Sequence, residues 1–164
     1  MEKKYILTDD VIDFNGHTLH RIKAVRDFDC VKAGDLGGFI ESEKNLDHDG
    51  AAWVTDSALV SGAALVSGDA RVTDSALVSG DARVTGAAVV SGNADFAVIS
   101  GFGRASHTTT FFRCKDNLVR CKCGCFYGTV DEFRAKVRET HGNSKYAKEY
   151  LMIADLMELH FKED

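Results

Sequence analysis

The chain has 164 residues, enough for one ordinary domain or two small ones, with 45% apolar residues and a formal net charge of -5. That composition excludes disorder as the default, and the acidic balance excludes a general nucleic-acid or anionic-membrane binder. No stretch approaches about 18 consecutive apolar residues, so no membrane contact is expected, and five cysteines, three of them crowded together, do not form a secreted disulfide framework.

Residues 1–36 read as a hairpin and a leader. MEKKYILTDDVIDF has no apolar core of a secretory signal, so a cytoplasmic protein with reduced thiols is expected. The runs VIDF and HTLHRIKAV flank Asn15-Gly16, a strong short signal for a tight β-turn. The following GDLGGFIESEKNL is rich in glycine, which allows tight backbone before the next element.

Residues 37–101 are repetitive. Val54, Val60, Val66, Val72, Val78, Val84 and Val90 recur every sixth residue, and Phe96 continues the column. Four residues after each valine stands alanine, from Ala58 to Ala94, with Ala52 before the first and Leu46 and Ile40 extending that column backwards. A helix would need apolar residues three and four apart, and a plain strand needs no turn every sixth residue. Short strands joined by corners satisfy the pattern, with Val and Ala inward and Gly or Asp at the turns. The hexads VTDSAL, VSGAAL and VSGDAR resemble those of hexapeptide-repeat proteins, and the three units per revolution that this resemblance implies put residues eighteen apart on one outer face. Leu59 then lies over Leu77, and Leu65 extends an apolar stripe that predicts a homo-oligomer, trimer or dimer. Trp53 falls beside Arg71 and is expected to be covered by the N-terminal segment.

The resemblance extends beyond the hexads: GDLGGFIESEKNL and CGCFYGTVDEFRAKVRETHGNSKYAKEY are similar to segments of small phage and prophage proteins. The resemblance implies a mainly β protein built on a left-handed parallel β-helix, trimeric association and a phage or prophage origin. It further implies a non-enzymatic accessory protein, in the cytoplasm of a host bacterium, that binds a host factor as a host-defence inhibitor. Hexapeptide acyltransferases use a histidine base, but the eight hexads hold no histidine, leaving only His48 and His107 at their flanks.

Residues 102–164 read as an α+β module. TTTFFRC and NLVRCKCGCF are strand-like, Thr129 with Glu132 forms a capping box, and Gly142 ends the first helix. Ser144 caps a second helix whose inward face is read as Tyr146, Tyr150, Ala154, Met157 and Phe161. Residues 102–123 carry five basic residues against Asp116 alone. Gly101, Gly103, Arg104, His107, Thr108 and Arg113 are therefore the candidate ligand set, through backbone N–H groups, hydroxyls and positive charge suited to an anionic nucleotide. A solvated exit loop is the equal alternative. Cys121, Cys123 and Cys125 alternate on one strand face; buried thiols are the first reading and a zinc site the lesser one, so no metal and no cofactor are expected. A host protein bound by the acidic N-terminal residues is the competing partner class.

Overall fold

The computed structural model describes residues 2–163. Strands β1 (Tyr5–Phe14) and β2 (His17–Ala24) form an antiparallel hairpin. Asn15 and Gly16 turn it with φ of 50° and 81°, the paired positive values that a two-residue turn between twisted strands requires. Strand β3 (Leu36–Ile40) adds antiparallel to β2.

The repeat then lays down seven two-residue strands. They are β4 (Trp53–Val54), β5 (Leu59–Val60), β6 (Leu65–Val66), β7 (Arg71–Val72), β8 (Leu77–Val78), β9 (Arg83–Val84) and β10 (Val89–Val90). The corners have one recurring backbone feature. Gly50, Asp56, Gly62, Gly68, Asp74, Gly80 and Gly86 all have φ between 55° and 68°. Only Gly, Asn and Asp take that conformation cheaply, which is why every one of these corners carries Gly or Asp. All seven valines from Val54 to Val90 are fully buried, and so is every sixth residue of the alanine column from Ala52 to Ala88. Each buried valine contributes on the order of 1.5–3 kcal/mol relative to exposure.

These strands do not form the single left-handed parallel β-helix expected from the repeat. The described residues build four small sheets and two α-helices. One sheet is mixed, in the order β1-β2-β3-β5-β8, because the hairpin edge captures β3 antiparallel. A three-stranded parallel sheet has β7 between β4 and β10, and a two-stranded parallel sheet pairs β6 with β9.

The repeat also ends earlier than its spacing suggests. Ala94 is exposed, and strand β11 (Phe96–Ile99) turns away to pair antiparallel with β12 (Thr109–Arg113). At the other end, Ile40 and Leu46 pair with Val60 and Val66, so they occupy valine positions and not the alanine column. Eight residues, not six, separate Leu46 from Val54, and the longer corner shifts the register.

Strands β13 (Val119–Cys123) and β14 (Phe126–Thr129) complete an antiparallel sheet in the order β11-β12-β13-β14. Helix α1 (Val130–His141) follows at once, with Thr129 Oγ1 accepting from the Glu132 N–H and Glu132 Oε2 accepting from the Thr129 N–H. Gly142 closes it at φ 56°, and Ser144 Oγ caps helix α2 (Lys145–His160) by accepting from the Ala147 N–H. Tyr146 lies outward; Ala147, Tyr150, Ile153, Ala154 and Met157 form the buried face.

Strand β12 joins the two cores. Successive side chains on a strand point to opposite faces. Phe112 enters the core made by the valine and alanine columns, while Phe111 enters the core beneath α1 and α2. The last repeat units are covered by the same strand: Thr110 Oγ1 accepts from the Arg83 N–H at 2.9 Å, and the Lys115 N–H donates to the Ala87 carbonyl at 3.1 Å. At the opposite end the N-terminal segment covers Trp53, as its sequence neighbours suggest. Phe28 and Tyr5 pack edge-on at 5.3 and 6.3 Å from it, and Arg71 pairs with Asp29.

Candidate ligand-binding cleft

The six residues singled out as a ligand set separate in space. Arg104 and His107 line a cleft of about 560 Å³ between the loop 100–108 and helix α1. Thr108 faces a different depression, beside Arg83 and Lys122, and shares a hydrogen bond of 3.1 Å with the Ser100 hydroxyl. Arg113 stands at the far end of β12. There its guanidinium pairs with Asp95 at 3.2 Å, donates to the Phe161 carbonyl at 2.9 Å and lies over the Phe161 ring. It ties the C-terminal end of α2 to the sheet and is removed from the candidate set.

The two glycines have different roles. Gly101 is exposed in the loop at φ 86°. The Gly103 N–H is already used, donating to Glu149 Oε2 at 3.1 Å, so it does not offer itself to a ligand. Any side chain at Gly103 would run into the Tyr150 hydroxyl, which in turn donates to the Phe102 carbonyl at 3.2 Å. These contacts pin the loop onto α2.

Helix α1 supplies what the sequence reading missed. Lys136, Thr140 and His141 line the same cleft as Arg104 and His107. Lys136 and Thr140 are four apart and so share one helix face, but nothing in the sequence shows that this face meets the loop. The floor is apolar and aromatic: Phe133 packs against Phe126 at 5.7 Å and Tyr150 at 5.6 Å, and His141 lies 5.8 Å from Tyr150. Burial pushes the Tyr150 hydroxyl up to about 12, so it stays protonated as a donor. Lys136 is held by Glu139 at 3.1 Å, whereas Arg104 has no acidic partner among the described residues. A cleft of this volume with an aromatic floor and cationic edges is the common form of a small-molecule site.

The thiols do not converge. Cys121 and Cys123 share a face of β13, but Cys125 is exposed in the following turn, and Cys114 packs in the other core. The expectation that all three alternate on one strand face is corrected: the strand ends at Cys123, because Gly124 turns the chain at φ 55°. Among the described residues no group of three metal-ligating side chains comes together. Burial pushes the Cys121 thiol far up, and Cys114 up as well, so both remain protonated and poor nucleophiles.

The two flanking histidines also differ. His48 is stacked on Tyr5 at 4.3 Å, with Nδ1 accepting from the Lys4 N–H at 3.3 Å, and is shut beneath β1. His107 alone is exposed. The apolar stripe is likewise divided. Leu59 lies beside Leu77, and Phe39 extends that row, but Leu65 pairs with Arg83 in a different sheet. All three leucines are half-buried.

Neither protein-family models nor curated proteins yield a match to this chain. No helix among the described residues is long and apolar enough to cross a membrane.

Proposed function

We infer that this protein is a binding protein whose cleft between the loop 100–108 and α1 takes a small anion carrying an aromatic ring, of the nucleotide class. The observation that carries this reading is the pairing of an aromatic floor of tilted and edge-on rings, Phe126, Phe133 and Tyr150, with Arg104 and Lys136 at the rim. The floor offers a ring its face, and the rim offers a phosphate charge-assisted hydrogen bonds. Sequestration accounts for these features better than turnover does. The cleft wall includes the Cys123 thiol, which accepts from the Thr109 hydroxyl at 3.0 Å, and its buried tyrosine is held protonated.

Thermal shift and calorimetry with a panel of mononucleotides and cyclic nucleotides test this. Binding is expected, and Arg104→Gln with Lys136→Gln should weaken it at least tenfold while leaving the melting temperature of the free protein unchanged. Acetyl-coenzyme A serves as the arm for acyl transfer with His107 as base; a shift with it and none with nucleotides would favour an enzyme. No shift with any of these at millimolar concentration would overturn the cleft reading and leave a protein partner for the acidic residues 1–101.

A further inference from the structure

Helix α2 has two apolar faces, and only one is covered. Its inward face lies against α1 and the antiparallel sheet. On the outward face Met152, Leu156 and Leu159 are 72%, 54% and 69% exposed. Their spacing of four and three places them in one row along the helix. The row runs into a groove of about 670 Å³ beside α1, to which Leu159 and the half-exposed Leu118 contribute walls. An apolar row this exposed marks an interaction surface.

We propose that this face is the contact between two copies of the chain, packed as antiparallel α2 helices about a twofold axis near Leu156. Charge selects this occupant. The helix starts with Lys145 and Lys148 beside Glu149, and carries Asp155 and Glu158 towards its end, with Lys162 and Glu163 just beyond it. Lys148 has no acidic partner among the described residues, and Glu163 is only loosely engaged, 3.9 Å from Arg113 Nη1. Lys145 is paired with Glu149 at 3.7 Å, and Asp155 and Glu158 are held by Arg134 at 2.9 and 2.6 Å. A parallel pairing sets like charges side by side. An antiparallel pairing centred on the row sets Met152 against the partner's Leu159 and brings Lys148 towards the partner's Glu163, three residues past the end of its α2. Met152, flexible and unbranched, then reaches the groove beside the partner's Leu159. The contact is self-complementary, as a twofold interface must be, and it closes at two subunits.

Analytical ultracentrifugation and light scattering of the full chain test the proposal. The expected species has twice the 17.9 kDa chain mass. Met152→Glu with Leu159→Glu should weaken the dimer at least a hundredfold with unchanged circular dichroism, since both side chains point to solvent. Lys148→Glu should weaken it, and Lys148→Glu combined with Glu163→Lys should restore it, an effect that general loss of apolar surface does not mimic. A monomer at several hundred micromolar, a trimer, or a dimer that survives the α2 changes and is dissociated by Leu59→Asp with Leu77→Asp would each overturn it.

Discussion

Replacing Gly68 by alanine, with Gly80 as its internal control, separates two costs at the repeat corners. Both glycines have nearly the same backbone, φ 66° and 63°. A left-handed residue with a Cβ costs about 1–2 kcal/mol, and this applies to both. Their surroundings differ. A Cβ on Gly68 would lie 2.9 Å from the Gly86 nitrogen and 3.3 Å from its Cα, whereas a Cβ on Gly80 meets nothing within 4 Å. The obstruction at Gly68 is backbone, which cannot rotate aside as a side chain can. Overpacking of this kind adds roughly 1–3 kcal/mol. Gly80→Ala should therefore destabilise by about 1–2 kcal/mol and Gly68→Ala by about 2–5 kcal/mol. Urea unfolding followed by circular dichroism measures both on one scale. If the two variants agree within about 0.5 kcal/mol, close approach between successive corners has no part in choosing glycine, and the reasoning fails.

Two further changes probe the cores. Lys4 is fully buried, and its ammonium donates to the Ala52 carbonyl at 2.8 Å and more weakly to those of Asp49 and Gly50. Burial lowers its pKa to about 8, so it remains charged at neutral pH. Lys4→Met keeps the bulk but strands those carbonyls, and urea unfolding should show a loss of about 1–3 kcal/mol. An unchanged midpoint would mean that water takes over the carbonyls. For Cys121, burial raises the thiol above its ordinary value of 9.0. The unfolded chain then loses this proton first, so folding stability is full below about pH 9 and falls as pH rises beyond it. Stability measured from pH 8 to 10.5 should decline less steeply in Cys121→Ala than in the parent chain, and parallel curves would contradict the burial argument.

The parts of this protein legible in its sequence are those where one residue's local chemistry decides the backbone. Asn15-Gly16 specifies a turn because both residues accept positive φ. Thr129 with Glu132, and Ser144 two residues beyond Gly142, mark the helix boundaries because they satisfy N–H groups that a helix leaves open. The six-residue recurrence of Val, Ala and Gly or Asp records which side chains are buried and where the chain turns.

Tertiary structure decided everything that depends on which surfaces meet. Phe96 continues the valine column in sequence, yet β12 recruits it into an antiparallel sheet, since a free strand edge is satisfied by whichever neighbour reaches it. Ile40 and Leu46 changed column because two extra corner residues altered the register. Arg113 left the candidate site because Asp95 and the end of α2 lie beside it. Arg104 and His107 became half of a cleft whose other half, Lys136 and His141, comes from a helix some thirty residues on. The periodicity of α2 shows apolar residues on two sides; only packing reveals that one side meets α1 and the sheet, leaving Met152, Leu156 and Leu159 uncovered. Local conformation is written residue by residue, but contact between distant segments is a property of the assembled surfaces, and there the function of this chain is determined.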